Sequence, residues 1–359
     1  MANAKTTTYN SFSYNSLVKK KDREISVPFL PKGYENNISK YIKAGIKSKY
    51  RNEIFERVLK FSQADLKKYC KKVLTSFGYK PKATSGYLYA EGEIPVMLIA
   101  HMDTVHKELP RQIIYKDNYI TSPQGIGGDD RCGVYSVLEI AKQLKCHVLL
   151  TEDEESGCIG AREFSVSDIA KKLKKKINYC IELDRRGETD AVFYEGDNKE
   201  FVKFIESTGH FKEDWGTLSD ICYVAPALDC SAVNLSIGYH NEHSKSEYID
   251  LKIMKKNIAE AMKIIQQESE RFEWIEYTYP YNYRGLRGDF FSEEDYWDYL
   301  GYNSSYGVGT VKEKYIIFCE NYQISETYYA LSQEEALGMF FMDYPNVCYK
   351  DIDYIDTAY

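Results

Sequence analysis

Four apolar runs in the middle of the chain each lead to side chains of the kinds that can ligate metal ions. Residues 96–100 (VMLIA) run straight into His101, and 147–150 (HVLL) lead within a few residues to Glu154 and Glu155. Residues 177–183 (INYCIEL) are followed by Asp184, and 234–238 (NLSIG) precede His243 by a short gap. Runs that are apolar on both faces and separated by helical stretches are the pattern of central strands in a largely parallel sheet. The expected fold is therefore α/β, with a mixed, largely parallel central sheet flanked by helices. In such sheets the loops beyond the carboxyl ends of the strands converge on ligands, and every candidate above falls on that rim.

The rest of the chain is arranged around this core. Apolar residues at Ile54, Phe55, Val58, Leu59, Phe61, Leu66, Tyr69, Val73 and Leu74 predict a helix, a break near Ser62-Gln63, and a second helix ending at Gly78. A further helix is expected over 131–144. A long amphipathic one over 251–272, with Ile253, Ile258, Met262 and Ile265 on one side, closes the domain. Beyond it, a Tyr-, Gly- and Asp-rich stretch reads as a linker. Two strands (315–318, 327–330), a helix opening at Ser332 and a strand near 347–354 then form a small ββαβ appendage. The boundaries expected are 1–48 for an N-terminal extension, partly ordered at best, and 49–276 for the catalytic domain. The linker takes 277–310 and the acidic α+β appendage 311–359.

Composition narrows the function classes. The 43% apolar content suffices for a large core, while 28% charged residues and the lack of any long apolar run argue against a membrane protein. The polar first ten residues have no secretory apolar core, so the cytoplasm is the expected location. The net charge of −7 hides a lysine-rich first quarter and an acidic tail. No base-reading motif accompanies the lysines, so a nucleic-acid partner is not expected. The nine cysteines show no CxxC spacing and read as small core hydrophobes. Cys132 and Cys158 lie beside the candidate metal loops and are the two whose oxidation would matter.

Two histidines and three carboxylates suit a pair of divalent cations. Imidazole and carboxylate both fit zinc, and a carboxylate can hold two ions at the separation used in two-metal hydrolysis. Asp129 follows a glycine-rich loop, 125–128 (GIGG), that lets backbone fold close around an ion. Adjacent Glu154 and Glu155 can divide the work of proton carrier and ligand.

The segment 101–105 (HMDTV) resembles the HxDTV motif of the co-catalytic zinc exopeptidases, the group of peptidase T, carboxypeptidase G and acetylornithine deacetylase. Residues 128–133 (GDDRCG) resemble its GxDDKxG, with Arg131 in place of lysine. Residues 151–157 (TEDEESG) resemble TxDEExG, and 243–249 (HSKSEYI) resemble HSxxEYV. The resemblance covers about 52–272. It implies that Asp129 bridges two metals, that His101 and Asp184 complete one site, and that Glu155 and His243 complete the other. It further implies Glu154 as general base, Asp103 as the partner orienting His101, and a cis peptide between Asp129 and Asp130. Zinc is the first choice, with cobalt or manganese as alternatives.

Lidded members of that group carry a lid and dimerisation domain much longer than the 185–242 stretch available here. The compact layout is similar to the single-domain zinc aminopeptidases of the same clan. The lid histidine that stabilises the oxyanion is missing, which leaves Tyr239, His240, Arg185 and the metals for that task. Arg185 and Arg186 can instead clamp a substrate carboxylate or pair with neighbouring acids, and Asp220 can receive a substrate amine or cap a helix. An exopeptidase or aminopeptidase acting on short peptides leads. A deacylase acting on acyl-amino acids, and a retired binding or scaffold protein, stand as alternatives. The oligomeric state is open.

Overall fold

The computed structural model describes residues 27–276 except Thr217, then 313–319, 324–330, 354–358 and the single positions 337, 340, 344 and 352. The chain begins with α1 (Ile38–Gly45), α2 (Glu53–Lys60) and α3 (Gln63–Ser76). Next come β1 (Lys82–Ala83), β2 (Tyr87–Ala90), β3 (Ile94–His101), β4 (Ile114–Lys116), β5 (Tyr119–Thr121) and α4 (Gly128–Ala141). The middle holds β6 (Cys146–Thr151), α5 (Ile159–Ser165), α6 (Asp168–Leu173), β7 (Tyr179–Arg185), β8 (Asp190–Val192) and α7 (Lys199–Glu206). After these come β9 (Lys212–Asp214), α8 (Ile221–Leu228), β10 (Ala232–Ser236), β11 (Tyr239–His240), β12 (Tyr248–Asp250) and α9 (Leu251–Ile265).

Eight strands form the central sheet in the order β1-β2-β6-β3-β7-β10-β8-β9. The four expected central strands are neighbours, and β6, β3, β7 and β10 run parallel. Antiparallel β2 and β8 flank them, which makes the sheet mixed as expected. Every residue of β6 and β10 is buried, as a strand covered by helices on both faces must be. One core cluster packs α2, α3, α4 and α9 against the sheet, and a second packs α5, α6 and α8 against its other face.

Local chemistry explains the helix boundaries. Asn52 accepts hydrogen bonds from the N–H groups of Ile54 and Phe55, and Ser62 accepts from Asp65, so the expected break is a second N-cap. Asp250 caps α9 through the N–H groups of Lys252 and Ile253, and loss of such a cap costs about 1 kcal/mol. α9 stops at Ile265, short of the 272 read from periodicity. Its buried stripe is Leu251, Met254, Asn257, Ala261 and Ile264, with Ile258 and Met262 half-buried beside it.

A second sheet has four strands in the order β11-β12-β5-β4. Part of the expected extension is built onto it: Val27, Leu30 and Tyr34 are buried against Ile114 of β4. Residues 1–26 lie outside the described residues, as does the expected linker, 277–310. The appendage shows β13 (Glu313–Cys319), β14 (Ile324–Ala330) and β15 (Tyr354–Ala358) in an antiparallel sheet of order β14-β13-β15. Helical residues Leu337 and Phe340 are buried in its core. Most of the expected last strand, near 347–354, lies outside the described residues, and β15 runs from Tyr354 to Ala358. Among the described residues no helix is long and apolar enough to cross a membrane.

Candidate metal centre

The strand ends bring the expected residues together. His101 closes β3 and Asp184 lies near the end of the adjacent β7. His101 Nε2 is 3.0 Å from Asp129 Oδ1 and 3.5 Å from Asp184 Oδ1. On the other side of Asp129, Oδ2 is 3.2 Å from His243 Nε2, which is itself 3.1 Å from Glu155 Oε2. Two triads result, His101–Asp129–Asp184 and Asp129–Glu155–His243, each with donor atoms within 4.8 Å of one another. Asp129 belongs to both.

The backbone at Asp129 is special. The peptide between Asp129 and Asp130 is cis, and neither residue is helical, so α4 proper starts at Arg131. Asp130 is fully buried; it accepts from the N–H groups of His101 (3.3 Å) and Gly133 (2.7 Å), joining the loop to β3. Gly133 has no room for a side chain, because a Cβ would lie 2.1 Å from the Leu183 carbonyl oxygen.

Asp103 acts as a junction. Its Oδ1 lies 3.1 Å from His101 Nδ1 and accepts the Glu154 N–H, and its Oδ2 accepts the Glu155 N–H. One carboxylate thus fixes the imidazole and the start of the acidic loop. Asp184 is held by an amide: its N–H donates to Asn234 Oδ1 and its carbonyl accepts from Asn234 Nδ2, both at 2.9 Å. The Tyr239 hydroxyl donates to Asp184 Oδ1 at 3.1 Å.

The electrostatics match a site awaiting positive charge. Burial, aided by the charges of Asp184, Asp220 and Asp129, pushes the Glu154 carboxyl up to about 9. Burial also raises Asp184 to about 7, with Asp129 adding repulsion against the opposing pull of His101. His243 is pushed up to about 11 by its contacts with Asp129 and Glu155. Burial works against ionised Asp129, but hydrogen bonds from His101 and His243 hold it below the usual range. Glu155 Oε1 is buried with no hydrogen-bond partner, as expected of an atom reserved for another ligand. The donor set and this orphaned oxygen fit divalent ions of the zinc kind.

The remaining candidates separate cleanly. A pocket beside the triads is lined by Glu154, Arg185, Arg186, Tyr194, Gly216, Leu218, Tyr239 and Glu242 as well as Asp129, Glu155, Asp184 and His243. Arg185 is committed to structure: Nη2 donates to Asp214 and to the Trp215 carbonyl, and Nε lies 3.6 Å from Asp190. Arg186 pairs with Glu242 at 2.6 Å. His240 stacks on Tyr248 with ring centroids 4.8 Å apart and does not line the pocket. Asp220 is fully buried outside it. It stands at the N-cap of α8 without capping, and instead accepts from the Thr151 hydroxyl. Cys132 and Cys158 are wholly buried and burial raises both thiols, which makes them unreactive rather than oxidation-sensitive.

Several polar residues escaped the sequence reading. Glu182, inside the INYCIEL run, is buried and accepts from Ser219 at 2.6 Å. A charged or amide residue inside an apolar strand, such as Glu182 or Asn234, is the signal that marks them.

Residues 85–265 match the profile of peptidase family M28. The chain belongs to this family. It is a metal-dependent peptidase. No curated protein matches it. Among solved structures it is similar to a tripeptidase from Staphylococcus aureus, at 14% identity and TM-score 0.50 over 63% of this chain and 97% of that one. The aminopeptidase PepT from Bacillus cereus is 16% identical over 65% and 97%, with TM-score 0.48. A Zn-dependent exopeptidase from Parabacteroides distasonis is 16% identical over 68% and 100%, with TM-score 0.44. At such identities the likeness concerns the fold.

Proposed function

We propose that the chain is an exopeptidase, an aminopeptidase acting on short peptides, that works with two divalent metal ions, zinc first among them. His101 and Asp184 would hold one ion, Glu155 and His243 the other, and Asp129 both. When bound, such a pair supplies a water acidified towards neutrality and polarises the scissile carbonyl. Glu154 lines the pocket beside the ligands without belonging to either triad, so it is the group free to take a proton from water and pass it to the leaving amine. General base work of this kind contributes about 10²–10⁴-fold. Tyr239 and Asp103 position ligands and Arg185 holds the pocket wall. Arg186 remains to meet a substrate carboxylate once released from Glu242. Residues 27–276 would form the catalytic unit, with the appendage separate in sequence.

The observation that supports this most is the sharing of Asp129 between two triads, with the Glu154 carboxyl beside them and in neither. The test combines elemental analysis with hydrolysis of aminoacyl, dipeptide and N-acyl substrates before and after chelation. Two ions per chain, activity lost on chelation, and a Glu154→Ala variant that keeps its metal but loses at least about 10²-fold in kcat are expected. Near-normal activity in Glu154→Ala overturns the assignment of the base. Turnover of N-acyl substrates alone moves the protein to the deacylases of the same chemistry.

A further inference from the structure

Glu247 and His106 lie in neither triad, yet both touch the loop that delivers the shared carboxylate. Glu247 is completely buried. Its Oε1 accepts the Asp129 N–H at 3.0 Å, and its Oε2 accepts the Gly127 N–H at 2.9 Å. His106 Nε2 approaches the same Oε2 at 2.6 Å. The His106 ring also packs on Gly125, where an added Cβ would lie 2.3 Å from it. Gly127 has φ +65, a backbone that favours glycine. At Gly128 a Cβ would meet Tyr239 at 2.8 Å and Glu247 Oε1 at 3.1 Å.

We infer that Glu247 and His106 are positioning residues that set Asp129 in place before any ion binds. The two loop N–H groups fall on different oxygens of one carboxyl group, and only a carboxylate can serve both. A glutamine would satisfy one and turn an N–H donor towards the other. The carboxylate of Glu247, 120 and 118 positions further along the chain, therefore grips the loop at 127 and 129, and His106 meets the oxygen that Gly127 uses. The chain entering Asp129 has its direction fixed, and the side chain can face both triads at once.

This inference rests on the two-metal reading, and the experiment separates the two. In metal-free protein, amide hydrogen exchange at 127 and 129 is expected to be slow and to quicken by about tenfold or more in Glu247→Gln. With metal, chelator competition is expected to show affinity lowered by about 10- to 100-fold, the usual effect of losing a partner behind the ligands. At saturating metal, kcat should fall with KM nearly unchanged, since neither residue touches substrate. His106→Gln, whose amide reaches the same oxygen, should retain more affinity than His106→Ala, and this pair carries the test if Glu247→Gln does not fold. Unchanged exchange and unchanged metal affinity in Glu247→Gln, or equal affinity in the two His106 variants, overturns the inference. Absence of metal binding by the unaltered protein sinks the two-metal reading instead, while the exchange rates still judge the grip.

Discussion

The two triads share Asp129 but are built from different material. His101 and Asp184 come from adjacent central strands, and the His101 side chain is 1% exposed. Asp103 orients that imidazole, and Asn234 and Tyr239 hold Asp184. Glu155 and His243 come from loops. His243 adopts a left-handed backbone, φ 58, and its side chain is 48% exposed. One half is anchored in the buried sheet; the other stands on loops, with its histidine half-exposed. If the triads hold ions as proposed, this difference in burial predicts unequal affinities, with tighter binding on the strand side.

Removing ligands one at a time tests this difference with the largest effects. Asp129→Ala is expected to lose both ions and on the order of 10⁴-fold or more in kcat/KM, as when one member of a cooperating catalytic set is removed. His101→Ala should lose the tightly held ion and weaken the other. His243→Ala should keep close to one ion per chain, read by elemental analysis after dialysis. If His243→Ala emptied both positions while His101→Ala kept one, the proposed asymmetry would be reversed.

The next effect is on stability and has a definite sign. In metal-free protein the acids Glu154, Asp184 and Asp220 are raised from 4.5, 3.8 and 3.8 to about 9, 7 and 6 by burial and mutual repulsion. Between their ordinary and raised values the folded chain binds more protons than the unfolded chain, so stability falls as pH rises. His101 and His243 are raised as well. Their contribution is complete below 6.5 and is lost as pH climbs towards the folded values, about 11 for His243, so it has the same sign. Asp103 and Asp129 are lowered and act only at acid pH. The metal-free melting temperature should therefore drop by several degrees or more between pH 5 and 9. Adding zinc at pH 8 should restore it, and in His243→Ala the restoration should be only partial. A flat melting profile over that window would show that the carboxylates are not packed as tightly as described.

Much of this was readable from the chain because it is local. A strand that runs out into a histidine or aspartate declares both its direction and its rim, and β3 and β7 obey that rule, while β6 and β10 reach Glu154, Glu155 and His243 only a few residues further on. The break between α2 and α3 was visible because Ser62 is an N-cap. Contacts between distant residues were not readable. His106 meets Glu247 across 141 positions, and no periodicity announces such a pair. Glu182 was hidden in an apolar run because its partner, Ser219, lies on the approach to α8. The packing of Val27, Leu30 and Tyr34 onto β4 was lost in a polar, irregular leader. The roles of Arg185 and Asp220 turned on the partners that only tertiary structure supplies: Asp214 and the Trp215 carbonyl for one, Thr151 for the other.

The smallest effect sharpens the comparison within its rigid half. Tyr239 is 3% exposed, lines the pocket, and spends its proton on Asp184 Oδ1. If the phenol serves to hold that ligand, Tyr239→Phe removes one hydrogen bond and weakens only the strand-side ion, by about tenfold. Activity at saturating metal should then return close to normal. If the hydroxyl instead turns to a developing oxyanion during the reaction, metal affinity stays level and kcat falls by about 10²-fold at any metal concentration. Titrating activity against free zinc for the variant separates these outcomes, because only a ligand-holding phenol can be compensated by more metal. The buried geometry, with the hydroxyl 3.1 Å from the carboxylate, favours the first.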